Sequence, residues 1–173
     1  LARYYNLPTF GLGGCSDSKM VDQQSAAEAS LTLITESIGG INLIHDMGYL
    51  ESGLCGSLAQ LVICNEIVSW IKRYLSQIEI SQETLAVDLI DSVGPDGQYL
   101  DSDHTLNNFQ ERWYPEVFEH TLYSQWQDEG SMDLAQRAET CVDQILSNHT
   151  PVPLPKDISG TLKGIVATSN HEA

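Results

Sequence analysis

The feature that most constrains the fold of this chain is a strand-to-helix pattern that occurs twice in residues 1–77. Tyr5–Phe10 predicts a short strand, and a helix is expected from about Lys19 to Ser37. Ile41–His45 predicts a second, mostly apolar strand of the kind that parallel sheets bury. Ser57 is expected to cap a second long helix. Strands that alternate with helices over short connections favour an α/β sheet or barrel.

Each predicted helix has an apolar face at helical spacing, which we expect to be buried. In the first helix this face consists of Ala27, Leu31, Ile34 and Ile38. In the second helix it consists of Leu61, Cys64, Val68, Ile71 and Leu75. Gln60 stands three residues after Ser57 and is expected to complete a capping box there.

Beyond residue 77 the sequence predicts helices and no further strands. Ser81 is expected to cap a helix that ends at Gly94-Pro95. A short helix is expected around Leu106–Trp113, before Pro115. A longer helix is predicted over Asp133–Asn148, where apolar residues recur at helical spacing.

The last part of the chain contains three closely spaced prolines, Pro151, Pro153 and Pro155, which predict a stiff extended linker before a weak helix and a polar tail. We therefore divide the chain into strand-helix units (1–77), a helical extension (78–150) and a linker with its tail (151–173). Two strand-helix units leave the edges of their own sheet unpaired, so we expect further strands to complete it. A start at Leu1 without an initiator Met leads to the same expectation.

The composition narrows the possible functions. Twenty-four acidic residues against eight basic ones give a net charge of −16, which repels phosphate backbones and argues against nucleic-acid binding. An acidic surface can instead be merely solvated, or it can steer a protein partner. The four cysteines form no C-x-x-C pair, which suits reduced thiols in the cytoplasm better than a zinc site or a disulfide framework. No signal peptide or membrane-spanning stretch is recognisable, so we expect a soluble cytoplasmic protein.

A glycine-rich loop, Gly11–Gly14, follows the first predicted strand. The dinucleotide fingerprint fails because Ser16 takes the place of its last glycine, and a P-loop fails because Lys19 follows Ser18 rather than glycine. What remains is a loop whose backbone can approach a bound group closely. Asp17 or Ser18 can alternatively serve as a plain helix cap.

His45 and Asp46 stand where the second predicted strand ends. In parallel α/β folds, functional side chains gather at the carboxyl ends of strands, because the loops there surround one crevice. A histidine at such a position can bind a substrate or a metal ion or carry a proton, or it can simply satisfy buried backbone groups. Tyr49 and Glu51 follow within six residues. We therefore predict a functional site here.

Two other kinds of site deserve comparison with this prediction. His45, Asp46 and Glu51 could bind a metal in a barrel hydrolase or lyase, although no H-x-H or H-E-x-x-H pattern supports it. A serine hydrolase lacks support because no G-x-S-x-G elbow occurs.

Five aromatic residues between 113 and 126 favour packing against the strand-helix units, or alternatively a docking surface for a partner. They are Trp113, Tyr114, Phe118, Tyr123 and Trp126.

Several segments resemble one known family, the trimethylamine and glycine-betaine type corrinoid methyltransferases. The most specific is His45-Asp46-Met47-Gly48-Tyr49-Leu50-Glu51-Ser52-Gly53. Supporting segments include Leu7–Phe10, Gly13–Lys19, Val93–Pro95 and Arg112–Pro115. The similarity extends over most of residues 2–155 and is densest in the first 57.

This resemblance implies that the chain is the C-terminal part of a TIM-like barrel, with two strand-helix units followed by a helical C-terminal extension. It also implies transfer of a methyl group from a methylated amine to the Co(I) corrinoid of a partner protein, as in methanogenesis. No cofactor is then bound directly, because the partner supplies the corrinoid (cobalamin). Since the other barrel strands are absent from the sequence, we expect these residues alone to be inactive. A homo-oligomer is left open.

The methyl donor depends on the chemistry of the leaving amine. A quaternary ammonium leaves as a neutral amine, whereas a tertiary amine must first be protonated or made quaternary. Trimethylamine enzymes of the resembling family use pyrrolysine for that step, and glycine-betaine relatives lack it. All 173 residues are standard. Either the special residue lies elsewhere or, as we expect, the substrate is a quaternary amine.

The resemblance and the strand-end position together suggest roles for six residues. His45 is the main catalytic candidate and would orient the substrate, while Asp46 and Glu51 would orient His45 or shape the loop. Tyr49 would offer its ring to the ammonium group by cation–π attraction. Ser16 and Asp17 would line the mouth of the pocket from the neighbouring loop. The alternatives are the metal-dependent enzyme and a non-catalytic docking module.

Overall fold

The computed structural model describes residues 1–169 and shows a mixed α/β protein that is mostly helical. The chain forms two compact units, Leu1–Val142 and Asp143–Ala173, which are considered separately below. The predicted divisions at 77 and 150 stay predictions. None of the described helices is long and apolar enough to cross a membrane. The described strands form two small two-stranded sheets and no closed barrel.

The first sheet joins β1 (Phe10–Leu12) to β2 (Leu43–His45) in parallel. Phe10 pairs with Leu43, and Leu12 pairs with His45. The helix α1 (Gln23–Gly39) connects the two strands. The predicted strand-helix-strand order is therefore confirmed, and β2 falls within the predicted segment.

The position of the first strand was predicted wrongly. Tyr5–Phe10 contributes only Phe10 to β1, and the preceding residues form turns in which the amides of Tyr5 and Leu7 donate to the carbonyls of Leu1 and Ala2. Asn6 has a left-handed φ of 52°, and Pro8 lacks an amide proton for strand pairing. The strand forms instead in the glycine-rich segment, where Gly11 and Gly13 allow Ile41, Ile44 and Leu33 to approach closely.

Helix α1 begins later than predicted and buries a different face. Asp22 is its N-cap and forms a capping box with Ser25, so neither Asp17 nor Ser18 caps it. The buried residues are Ser25, Ala29 and Leu33. Two residues of the predicted face are exposed, Leu31 at 67% and Ile38 at 61%. Apolar residues occur on several sides of this helix, and the neighbours rather than the pattern decide which side is covered.

Helix α2 (Leu58–Leu75) packs beside α1. Ser57 caps it by accepting from the amide of Gln60, as predicted. The capping box does not form, because the Gln60 side chain donates to the carbonyl of Ser25 in α1. Of the predicted buried face, Cys64 and Ile71 are buried, whereas Leu61 and Leu75 are exposed. The buried residues are Ala59, Gln60, Ile63, Cys64, Glu66, Ile67 and Ile71.

Between β2 and α2 the chain forms a small antiparallel hairpin that the sequence did not predict. β3 (Tyr49–Leu50) pairs with β4 (Cys55–Gly56) across a tight turn at Glu51–Gly53. Leu50 is buried, whereas the residues of the turn are exposed. This hairpin fills the connection between β2 and α2.

The helical extension begins with α3 (Gln82–Leu85) and α4 (Val87–Val93), which were predicted as one helix. They are separated at Ala86, which has a left-handed φ of 48°. The break could not be predicted, because no glycine or proline stands at this position in the sequence. The cap at Ser81 and the end at Gly94 are confirmed. Two short helices follow, α5 (Asp103–Asn108) and α6 (Tyr123–Asp128); α6 was missed, and α5 ends before Trp113.

The extension is attached to α2 through one buried carboxylate and two aromatic rings. Glu66, only 3% exposed, accepts from the amides of Glu116, Val117 and Phe118 at 2.8, 2.9 and 3.1 Å. Trp113 stacks on Trp70 at 5.5 Å between ring centroids, and its indole donates to Ser69.

For Trp113 and Phe118, the predicted packing against the strand-helix units is therefore confirmed. Tyr114 and Tyr123 are exposed instead.

The remaining helices are α7 (Leu134–Asn148), which confirms the predicted Asp133–Asn148 segment, and α8 (Lys156–Ser169). Helix α8 confirms the weak helix that was expected after the prolines and is longer than the pattern suggested. Ala138 of α7 is buried within the first unit. The polar tail at 170–173 lies outside the described residues.

Candidate functional site

His45 is the last residue of β2, and its ring is held from two sides. The Nδ1 atom lies 2.6 Å from Oδ1 of Asp46, and the ring of Phe10 stacks on the imidazole at 4.1 Å and an interplanar angle of 16°. The carboxylate accepts a hydrogen bond from Nδ1–H, and in a neutral imidazole this leaves Nε2 without a hydrogen, as an acceptor. Packing and hydrogen bonding thus orient this side chain.

The ring of Phe10, which stacks on His45, lies on the face of the sheet that points away from the helices. Side chains alternate between the two faces of a strand, so Phe10 and Leu12 lie on one face of the sheet and Gly11 faces the other side. Gly11 and Gly13 approach Glu36 and Leu33 of α1, which places the helix on the opposite face. Phe10 and Leu12 are 65% and 59% exposed, and this face of the sheet is therefore uncovered in the described chain.

After β2 the chain reverses sharply. Asp46 adopts a left-handed φ of 76° and Gly48 one of 86°. A Cβ on Gly48 would lie 2.9 Å from Cβ of Leu61, so only glycine fits there without a shift. The reversal brings Tyr49 back toward the glycine-rich segment, with its side chain 42% exposed.

The segment Ser16–Ser18 lies against this hairpin and contacts it through the backbone. The amide of Ser16 donates to the carbonyl of Tyr49 at 3.0 Å, and the amide of Ser52 donates to the carbonyl of Ser16 at 3.1 Å. The amide of Glu51 donates to the carbonyl of Ser18 at 2.9 Å. The sequence prediction that these two loops are neighbours is thereby confirmed.

The turn of the hairpin is strained. Glu51, Ser52 and Gly53 have consecutive left-handed φ values of 50°, 54° and 89°. For a residue other than glycine this conformation costs about 1–2 kcal/mol. Such strain persists only where surrounding contacts enforce it, and it is found most often at functional sites. The hydroxyl of Ser52 supplies one such contact by donating to Oδ1 of Asp17 at 2.6 Å.

Glu28 of α1 anchors the Ser16–Ser18 segment and was not predicted as a site residue. Its Oε2 accepts from the Ser16 hydroxyl at 2.6 Å and from the Asp17 amide at 2.8 Å. The hydrogen bond from Ser16, followed by those from Gln24 and Asp17, lowers the pKa of the Glu28 carboxyl. In the sequence it is one acidic residue on a mixed helix face, and no motif distinguishes it.

Cys15 precedes this segment, and its surroundings disfavour the nucleophilic thiolate. Desolvation, reinforced by the charge of Asp46, raises the pKa of its thiol above the usual value. A raised pKa keeps sulfur protonated at neutral pH, and the thiol is much less nucleophilic than the thiolate.

The structure brings the six predicted residues into one region but joins them unequally. His45 contacts Asp46 directly, and Ser16 and Asp17 contact the Tyr49–Ser52 hairpin. The Glu51 backbone holds the hairpin, whereas its side chain is exposed. Within residues 1–169, no group of three or more His, Cys, Asp or Glu residues is arranged to hold a metal ion. His45, Asp46 and Glu51 are thus not assembled as a metal-ligand set.

A His–Asp pair at the carboxyl end of a parallel strand, flanked by a glycine-rich loop, defines an α/β protein with a candidate active site at the strand ends. The family model described as trimethylamine methyltransferase (MTTB) matches residues 1–173. The chain therefore belongs to the trimethylamine methyltransferase family, and the predicted resemblance is confirmed.

Relatives with two different printed activities match the chain. It is 38% identical to the trimethylamine methyltransferase MttB of Desulfitobacterium hafniense (strain DSM 10664 / DCB-2), over 99% of this chain and 35% of that protein. It is 35% identical to MttB of Methanosarcina barkeri, over 96% of this chain and 34% of that protein. It is 31% identical to the glycine betaine methyltransferase of Desulfitobacterium hafniense (strain Y51), over 99% of this chain and 36% of that protein. The chain thus spans about a third of the length of these relatives.

Proposed function

We propose that these residues form one rim of the active site of a methyltransferase that moves a methyl group from a methylated amine to the Co(I) corrinoid of a partner protein. The observation that carries the proposal is the oriented His45–Asp46 pair at a strand end, in a chain of the trimethylamine methyltransferase family. We further propose that the chain is the C-terminal part of a TIM-like barrel. The uncovered face that carries Phe10 and Leu12 supports this, because the interior of a barrel would cover it.

In the proposed reaction the C–N bond of the amine breaks and its electron pair stays on nitrogen, while the methyl group passes to the Co(I) of the corrinoid. A quaternary ammonium then leaves as a neutral tertiary amine and needs no proton. For this reason we propose a quaternary amine such as glycine betaine as substrate, with trimethylamine as the alternative. No residue of this chain is assigned to holding the corrinoid.

The side chains at the rim have distinct proposed roles. His45, with its Nδ1 hydrogen donated to Asp46, would present Nε2 to the substrate and orient it. The ring of Tyr49 would attract the ammonium group by a cation–π interaction of roughly 0.5–2 kcal/mol. Ser16 and Asp17 would shape the mouth of the pocket, since they hold the Tyr49–Ser52 hairpin.

The test is a methyl-transfer assay with the complete protein and a corrinoid protein reduced to Co(I). Glycine betaine, related quaternary amines and trimethylamine are offered separately, and corrinoid methylation is followed by visible absorbance. Methylation with a quaternary amine supports the proposal, whereas methylation with trimethylamine alone reverses the choice of substrate. Binding of the corrinoid protein without any methylation favours a docking module. Stoichiometric zinc or manganese in the purified protein favours the metal-dependent alternative.

A further inference from the structure

Two anchor points join α1 to the loops of the candidate site. The hydroxyl of Thr32 accepts from the amide of Gly14 at 3.0 Å. One turn earlier, Oε2 of Glu28 accepts from the Ser16 hydroxyl and from the Asp17 amide. Its other oxygen accepts from Gln24, so both carboxylate oxygens are occupied. The glycine-rich segment is thus attached to a rigid helix rather than suspended in solvent.

Ser16 and Asp17 connect Glu28 to the strained turn at Glu51–Gly53. Ser16, which is buried and bonded to Glu28, receives the amide of Ser52 on its carbonyl. Asp17, whose amide is bonded to Glu28, receives the Ser52 hydroxyl on its carboxylate. Both hydrogen bonds that Ser52 donates within the described residues therefore end on a residue that Glu28 holds.

We propose that Glu28 is a positioning residue of the candidate active site, whose carboxylate fixes the left-handed Glu51–Gly53 turn through Ser16 and Asp17. The turn follows directly on Tyr49 and Leu50, so its placement determines where Tyr49 stands relative to His45. The consequence for activity rests on the proposed methyl transfer, whereas the consequence for the turn does not.

Two substitutions separate the effect of the negative charge of Glu28 from the effect of its hydrogen-bond acceptors. In the variant Glu28→Gln a carbonyl oxygen remains that can accept from Ser16 and Asp17, whereas Glu28→Ala removes every acceptor. Glu36 lies two turns further along α1, and no hydrogen bond joins it to residues 16–18 in the described structure. Glu36→Gln and Glu36→Ala are therefore matched controls.

The first readout is amide hydrogen exchange in the complete protein, resolved over residues 16–18, 49–54 and α2. In Glu28→Ala, the amide of Ser52 should exchange at least about 10-fold faster, since local opening governs its protection. The amide of Glu51 donates to the carbonyl of Ser18, which Glu28 does not contact, and it should accelerate less. The amides of α2 should keep their protection. Glu28→Gln should show a smaller effect, and the Glu36 variants should match the wild type.

A second readout uses pH. Because hydrogen bonds lower the pKa of the Glu28 carboxyl below its ordinary value, the group is charged at neutral pH and loses its charge only in acidic solution. The difference in exchange between wild type and Glu28→Gln should therefore be constant above about pH 5 and should vanish in more acidic solution. Asp17, Asp22 and Lys19 also lie nearby, but they are common to both proteins and cancel in this difference.

The third readout is methyl transfer, where Glu28→Ala should lower kcat/KM by roughly 10- to 100-fold, with partial recovery in Glu28→Gln. A wild-type exchange rate at Ser52 in Glu28→Ala would overturn the proposal, and so would an even acceleration throughout α2. If the wild type transfers no methyl group, the proposed function fails for every variant alike, and the exchange result still decides the role of Glu28.

Discussion

The imidazole of His45 and the carboxylate of Asp46 are neighbours in sequence, and they are also hydrogen-bonded, with 2.6 Å between Nδ1 and Oδ1. Side chains of adjacent residues in a strand point to opposite faces, so such a bond requires the backbone to leave the strand conformation. It does so at Asp46, whose φ of 76° turns the carboxylate back toward the ring. The sharp reversal of the chain and the orientation of the histidine are therefore one feature.

Removal of the imidazole should abolish most of the proposed activity. We expect His45→Ala to lower kcat/KM for corrinoid methylation by roughly 100-fold or more, because substrate orientation is lost. Asp46→Asn keeps a residue that tolerates a left-handed φ and should cost less, about 10-fold. The exposed His149 offers a control, and His149→Ala should retain wild-type activity. Activity of His45→Ala within a few-fold of the wild type would exclude His45 from the site.

Loss of the buried carboxylate at Glu66 should loosen the helical extension. Glu66→Ala leaves three amides without their acceptor and should lower the free energy of unfolding by on the order of 3 kcal/mol. Glu66→Gln keeps an acceptor and should cost about 1 kcal/mol. Glu116→Gln changes an exposed side chain whose amide takes part in the same contact, and it should stay within about 0.5 kcal/mol. Urea denaturation of the complete protein measures all three, and equal midpoints for Glu66→Ala and Glu116→Gln would contradict the expectation.

Two glycines with the same left-handed φ of 89° should respond differently to alanine. A Cβ on Gly14 would lie 3.0 Å from Cγ of Met47 and 3.2 Å from the Cys64 sulfur, whereas a Cβ on Gly53 would meet nothing within 4 Å. Gly53→Ala should cost only the conformational strain, about 1–2 kcal/mol. Gly14→Ala should cost about 1–3 kcal/mol more through overpacking. Thermal unfolding of both variants provides the comparison, and the same loss in both would show that the contacts around Gly14 can adjust.

Three of the four cysteines should react with iodoacetamide in a defined order. Cys55 is exposed and should be labelled first. Desolvation raises the pKa of the Cys15 thiol, so its thiolate fraction at any given pH is reduced and its labelling curve should shift to higher pH. Cys64 is buried, and desolvation raises the pKa of its thiol as well, so it should react only after unfolding. Mass spectrometry of peptides labelled between pH 7 and 9 tests this order, which rapid labelling of Cys64 in the native protein would contradict.

The strand-helix order, the Ser57 cap and the proximity of the two loops could be predicted because each rests on local residue chemistry. The His45 region was singled out for the same reason, since a short apolar segment ends there in polar residues. The buried face of α1 could not be predicted, because Leu31 and Leu33 are equally apolar. Leu33 is buried because it packs into the core beside α2 and close to Gly13.

Other failures have the same origin in long-range contacts. Gln60 fits a capping box locally, yet the carbonyl of Ser25, which lies 35 residues away in sequence, takes its side-chain donor. Glu66 is acidic within an apolar seam, and its three partners lie in a segment that begins 50 residues later. Glu28 likewise owes its role to Ser16 and Asp17, and no periodic pattern encodes that relationship.

The uncovered face of the β1–β2 sheet has a practical consequence for anyone who produces this protein. Within residues 1–169, the outer edges of both strands lack a pairing strand, and Phe10, Leu12 and Leu43 add apolar surface beside them. Unpaired edges next to exposed apolar side chains readily pair with other chains and aggregate. A recombinant fragment limited to these residues should therefore collect in inclusion bodies, whereas co-expression with a segment that supplies the neighbouring strands should keep it in the soluble fraction.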